Sequence, residues 1–324
     1  MATRSPHLPR PEATVFSKAA ILADLRAVDA SKSCQQRVLK LEAGFRQSVG
    51  GHVASLPTAE SKLAKFSTNP FVLLIYAQSK HYTRLSEIEK DILPAKLFSS
   101  METSAGRMVE GVALPVYGWQ AVKSGMHTAN SALDGKKLEL AVLKAATLKS
   151  GPRCLNDGMS ENFADSVLAH GGTWLKENAA TQLEFTYGVL YGTRKQSNKK
   201  DWHILRNIAE KLPKAAVAVN PSQRWDCTFR LNKAHATATV RVGKDWWDYL
   251  GGPLCLTEVF TALVRACIAP GQADRPDTKY QISDISTIVS LPAFATSFNV
   301  AILQRSQIPW LFFLMRHCCD ELTD

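Results

Sequence analysis

The stretch 133–161 constrains the chain most. A short apolar run closes on Asp134, the charged segment Gly135-Lys136-Lys137 follows, and a long apolar run then ends in Lys149. By residue type this is a strand ending in an acid, a tight turn over residues 135–137, and a second strand ending in a lysine. Pairing the two strands brings Asp134 and Lys149 together. A carboxylate beside an ammonium suits one chemistry well: the first holds a divalent cation while the second orients a water or steadies a developing anion. Gly151-Pro152 interrupts the pattern. A helix then opens near residue 160, capped by Ser160 or Asp157, and is expected to stop at Gly171-Gly172.

On the N-terminal side the apolar spacing is helical. Residues 13–49 read as two helices broken at Ser31–Ser33, with Gly50-Gly51 starting a loop. Further helices are expected over 61–66, from Pro70 with Asn69 as cap, over 85–92, and over 99–114, the last carrying Glu110. On the C-terminal side, residues 185–191 are aromatic and β-branched and make the clearest strand. A basic loop, Arg194-Lys195-Gln196-Ser197-Asn198-Lys199-Lys200, leads into an amphipathic helix over 202–212. Strands are expected at 215–219 and 236–242, helices at 244–250 and 257–269, and a mostly helical tail from 285. Helices, then a hairpin, then alternating helices and strands indicate an α/β (α+β) fold, a mixed central sheet flanked by helices with helical additions at both ends. The expected organisation is a helical region over 1–98, a core over 99–252 and a C-terminal helical region over 253–324 packed on that core, together one compact domain.

The 39 Lys and Arg outnumber the 29 Asp and Glu, a net charge of +10 that favours polyanionic partners. Seven cysteines with no CxxC and no Cys/His pair at zinc-ligand spacing exclude a disulfide framework and a zinc site, and fit a reducing cytoplasm. Residues 1–11 hold Arg and Pro without an apolar core, unlike a signal peptide, and the apolar run 308–315 is too short to span a bilayer. A membrane protein is not expected.

Thr147-Leu148-Lys149-Ser150-Gly151-Pro152-Arg153-Cys154-Leu155-Asn156 resembles a motif of type II restriction endonucleases of the PD-(D/E)XK superfamily, in members that cut GG…CC palindromes with unspecified bases in the middle. Asn69-Pro70-Phe71, the helix ending in Glu110, residues 187–192 and 243–247 resemble the same group, so the likeness covers roughly residues 69–250. It implies a nuclease core, site-specific hydrolysis of double-stranded DNA, and Mg²⁺, with Mn²⁺ able to substitute. It also implies a homodimer, and a cognate DNA methyltransferase in the same bacterial restriction-modification system with no direct contact.

The family pattern places a metal-binding Asp on one strand and an acid two residues before a Lys on the next. Asp134 and Lys149 match the first and last. Thr147 stands where the middle acid belongs, and Thr is a poor ligand for a hard cation. The resemblance implies a substitute acid from the following helix, Glu161, with Asp165 one turn on. It also implies a role for Glu110 at the cation or its waters. Glu139 is a rival acid, sharing a face with Thr147 and Lys149 if its strand is unbroken; Lys144 is a rival lysine on the opposite face. Arg153 is placed for a guanine edge or a phosphate, and Asn156 belongs to the same motif as a DNA contact. Arg194, Lys195, Lys199 and Lys200 are expected on phosphates. Trp246 and Trp247 are expected in the core rather than on bases. A repair or mobile-element nuclease of the same fold, and a DNA-binding relative without catalysis, are the competing readings.

Overall fold

The computed structural model describes residues 11–66, 70–122, 128–212, 214–219, 225–272, 274–275, 278–295 and 297–324. The chain begins with β1 (Val15–Ser17), α1 (Lys18–Ala30) and α2 (Lys32–Ser55). Ser17 and Ser31 cap the two helices, their hydroxyls accepting from the Ala20 and Cys34 amides, so the expected break falls at Ser31. Gly50-Gly51 does not end α2, since two glycines weaken a helix without dictating a turn. The helix expected over 61–66 is only a 3₁₀ turn, Leu63–Phe66. Pro70 opens α3 (Pro70–Ser79) as expected; Asn69 lies outside the described residues.

The two helices expected at 85–92 and 99–114 are one, α4 (Leu85–Val116), with Pro94 inside it. Proline forfeits a backbone bond without ending a helix whose flanking turns are held. Glu87 accepts from the Thr83 and Arg84 amides at the start, and Leu114 is buried near the end. The boundary drawn between residues 98 and 99 falls inside this helix.

The central sheet has seven strands in the order β2-β3-β4-β5-β8-β7-β6. They are β2 (Gln120–Ala121), β3 (Gly135–Glu139), β4 (Val142–Lys149), β5 (Gln182–Val189), β6 (Ala216–Val219), β7 (Trp225–Leu231) and β8 (Ala234–Val242). β4, β5 and β8 run parallel and the other pairs antiparallel, a mixed sheet as expected.

The hairpin turn lies elsewhere than expected. Gly135-Lys136-Lys137 opens β3, and the chain reverses at Leu140-Ala141, where Leu140 has φ 54°. Gly135 marks a close approach instead of a turn: a Cβ there would lie 2.9 Å from Leu114 Cδ1 of α4.

α5 (Asp157–Glu177) and α6 (Lys200–Lys211) cover one sheet face. α5 runs through the expected stop at Gly171-Gly172. Gly171 faces the sheet, where a Cβ would come within 2.5 Å of Leu231 Cδ1. The other face carries α1, α2, α4, α7 (Lys244–Gly251), α8 (Cys255–Cys267) and α10 (Ile308–Arg316) around one core, so both ends of the chain pack together. Trp246 and Trp247 are buried there, as expected. The tail is less helical than expected. A short α9 (Ile285–Val289) precedes α10, and β9 (Glu321–Thr323) pairs in parallel with β1. Asp320 accepts from the Thr14 amide (2.8 Å) and from the Thr193 hydroxyl (2.7 Å), and His317 O accepts from the Gly192 amide (2.8 Å).

The sheet and α7 meet most tightly at Gly188. A Cβ there would lie 2.6 Å from Trp246 Cε3 and 2.7 Å from Leu148 Cδ2. Gly188→Ala is expected to destabilise the fold by about 1–3 kcal/mol through overpacking, read as a lower urea midpoint with an unchanged slope.

Among the described residues no single helix is long and apolar enough to cross a membrane. α7 and α8 together reach the length, but they bend by 99°, and both pack into the core.

Candidate active site

The site is built where α4 crosses the β3–β4 hairpin. Gly106, Glu110 and Leu114 recur every four residues and share one helix stripe. At one end of the stripe, a Cβ on Gly106 would lie 3.6 Å from Ser150 Oγ, just past β4. At the other, Leu114 packs on Gly135. Glu110, midway, is thereby held toward the start of β3 and the end of β4. Its carboxyl is pushed up to about 7, first by burial and then by the negative charge of Asp134, against the opposing pull of Lys149 and Arg107.

Asp134 lies one residue beyond the Gly135–Ala146 pair and so faces Thr147 across the hairpin. Its Oδ2 accepts from the Leu148 amide (2.6 Å) and from the Thr147 hydroxyl (3.2 Å). Its amide donates to Ala146 O and its carbonyl accepts from the Val122 amide. Among the described residues, Oδ1 takes no hydrogen bond. Thr147 is buried and its hydroxyl is spent on Asp134, so it orients that carboxylate. Lys149 closes β4. Its carbonyl accepts from the Leu190 amide, and its Nζ sits 5.7 Å from the centre of the Phe163 ring on α5.

The substitute acids are not brought in. Glu161 and Asp165 lie on the exposed flank of α5, and both pair with Lys211 of α6 (3.3 and 2.5 Å). The reason is helical phase. Phe163 is the residue of that turn that meets Lys149, and Glu161, two positions earlier, points roughly 200° away. Glu139 belongs to β3, not to the strand of Lys149, and sits beside the turn, roughly 17 Å of strand from Asp134. Lys137 and Lys144 each lie 2.6 Å from it and hold its carboxyl down at about 2. Lys144 lies over the Tyr249 ring on the face opposite Lys149, as expected.

Among the described residues no three His, Cys, Asp or Glu side chains are grouped to hold a metal ion. The proposed trio of Asp134, Glu110 and Glu161 therefore reduces to Asp134 and Glu110. Two carboxylates can still serve a hard divalent cation that keeps several waters and takes its other ligands from substrate phosphates.

Beside these groups the loops after β4 and β5 form one platform. Arg153 Nε donates to Gln196 O, the Asn198 side chain donates to Leu155 O, and the Ser160 hydroxyl donates to Lys200 O. Arg153, Lys195 and Lys199 are exposed on it. Three other expected DNA contacts are engaged within the protein. Asn156 caps α5, its Oδ1 accepting from the Met159 amide (2.9 Å). Arg194 is mostly buried, pairs with Asp245 (2.7 Å) and lies over the Trp225 ring. Lys200 pairs with Asp157 (2.7 Å).

Residues 62–210 match the family of the type II restriction endonuclease EcoO109I. No curated protein matches the chain. The matched span contains Glu110, Asp134, Lys149, Phe163 and the whole basic loop, and it ends before residues 243–247, which also resembled the group. The match supports a restriction-type nuclease, a hydrolase whose substrate is DNA. Two features escaped the sequence reading: the hydroxyl of Thr147 holding Asp134, and Phe163 beneath Lys149. A signal for the placement of α4 was present in the four-residue spacing of Gly106, Glu110 and Leu114.

Proposed function

We propose that the chain is a type II restriction endonuclease that hydrolyses double-stranded DNA at a GC-rich palindrome built on GG and CC half-sites. The observation that carries this reading is the convergence of Glu110, Asp134 and Lys149 beside an exposed basic platform, inside the span matched to a restriction enzyme family. Asp134 and Glu110 would hold Mg²⁺, or Mn²⁺ in its place. When bound, the cation supplies charge neutralisation at the phosphate and an acidified water. Lys149 orients the attacking water and offsets charge on the phosphoryl oxygens. Thr147 and the Leu148 amide fix the Asp134 carboxylate, and the partial burial of Glu110 strengthens its interaction with a bound cation.

Cutting both strands of a palindrome calls for two such sites, hence a homodimer related by a two-fold axis. The helical arm of α3 and the first half of α4 supports this. Leu74, Ile75, Leu85 and Phe98 there are 70–84% exposed, the kind of apolar patch that marks an interface. The reading places the enzyme in a bacterial cytoplasm, with a cognate methyltransferase protecting the host DNA and making no contact with this chain.

Digestion of a plasmid of known sequence with Mg²⁺, followed by mapping of the ends, tests the proposal. Discrete ends at one repeated word support it; smearing or intact plasmid defeats it. One observation, Thr147 in place of the family acid, favours a second reading as a DNA-binding relative without catalysis. Mg²⁺-dependent cutting that vanishes in Lys149→Ala while DNA binding persists dismisses that alternative.

The basic platform makes a separate prediction. Lys195→Ala and Lys199→Ala are each expected to lower the slope of log affinity against log salt by about 0.9, one phosphate contact apiece. Arg194→Ala is expected to lower the melting temperature instead, since it removes a mostly buried side chain that pairs with Asp245 and lies over the Trp225 ring. Salt-titrated binding and thermal melts separate the two.

A further inference from the structure

Lys149 has a neighbour that the reaction described above does not use. Among the described residues no carboxylate lies within ion-pair distance of its ammonium. What lies over it is the Phe163 ring, 5.7 Å from Nζ to the ring centre. Phe163 is half-buried and leans on Tyr187, their ring centres 6.0 Å apart. Tyr187 is the β5 residue paired in register with Thr147. A continuous row therefore runs from the hydroxyl that fixes Asp134, through Tyr187 and Phe163, to the ammonium. The face of an aromatic ring attracts a cation and offers it no proton acceptor. A carboxylate at the same position would bind the ammonium and divert it from the reacting phosphate.

We propose that Phe163 is a positioning residue for Lys149, holding its ammonium over the ring face so that its protons stay available to the attacking water and the phosphate. The proposal rests on the reading of Lys149 as the catalytic amine. It also accounts for α5 turning Phe163 toward Lys149 while Glu161 and Asp165, the acids implied by the resemblance, pair with Lys211 instead: the aromatic ring seats the lysine, and the second carboxylate comes from α4.

Two measurements on the full chain test this. The first needs no catalysis. In protein carrying ¹³C-labelled lysine, with Lys149 assigned through Lys149→Arg, its ε-CH₂ signal is expected upfield of the other lysines because of the ring current, and is expected to return to the ordinary position in Phe163→Leu. The second replaces Phe163 by mono-, di- and trifluorophenylalanine, which weaken the ring's attraction for a cation with little change of shape. The cleavage rate on plasmid DNA with Mg²⁺ is expected to fall stepwise, about five- to tenfold in total, with DNA affinity unchanged. A Lys149 signal at the ordinary position in the wild type overturns the proposal whether or not DNA is cut. Cutting that is indifferent to fluorination overturns it as well. A wild type that shows the upfield signal but cuts nothing sinks the nuclease reading and leaves the aromatic seat for the ammonium established.

Discussion

Asp134→Asn is expected to lower the rate of DNA cleavage at least about 1000-fold while leaving the fold intact. An asparagine keeps an oxygen that can accept from the Leu148 amide and the Thr147 hydroxyl, the two groups that hold Oδ2. The negative charge is lost, and the other oxygen becomes an amide nitrogen that cannot ligate a cation. Because that charge helps push the Glu110 carboxyl upward, its removal also eases Glu110, so the variant is expected to melt no lower than the wild type. Single-turnover cleavage and a thermal melt on the same preparation check both halves. A variant that is slow because it is unfolded would show the opposite pairing.

Glu110→Gln is expected to abolish most Mg²⁺-dependent cleavage and yet to raise the stability of the metal-free protein at alkaline pH. The sign follows from the direction of the shift. The carboxyl titrates at about 7 in the folded chain against an ordinary 4.5. The folded state therefore binds the proton more tightly than the unfolded one. The stabilisation this gives is fully present below about 4.5, is lost progressively as pH rises toward 7, and is absent above that. The partly exposed setting of Glu110 screens the effect, and we expect the variant to gain about 1–2 kcal/mol at pH 8 and nothing near pH 4. Melts with a chelator across that range, together with Mg²⁺ titrations of cleavage, provide the check. A variant whose advantage does not grow with pH would contradict the assigned burial of Glu110.

Much of this site was legible in the residues. Asp134 and Lys149 each end an apolar run; Lys149 does end a strand, whereas residues 128–134 form no strand and Asp134 stands just before β3 begins. The family likeness pointed to Glu110, and Gly106 one turn earlier recorded the close crossing of α4. Other parts depend on distances that no local pattern carries. Gly135 reads equally well as a turn residue or as the mark of close approach, and the choice rests on Leu114, twenty-one positions away. Glu161 stands on the expected helix, but its phase about the axis is set by where Asn156 caps α5, which leaves Phe163 to meet Lys149. β7 was legible and passed over: Trp225, Cys227, Phe229 and Leu231 alternate with polar residues, and all four are buried. Arg194 and Lys200 carry the same charge as Lys195 and Lys199. Only the positions of Asp245 and Asp157 separate those held by the protein from those left for a polyanion.

The joining of the two ends of the chain bears on how the basic platform moves. Asp320 touches both Thr14 and Thr193, and the Gly192 amide is bound by His317. The loop after β5 is therefore tied to the residues that lead into β9, and its opening breaks the bonds to His317 and Asp320. Amide deuteration should show Gly192, Asp320 and Leu322 exchanging at one common rate, as a single cooperative opening beside the end of β4.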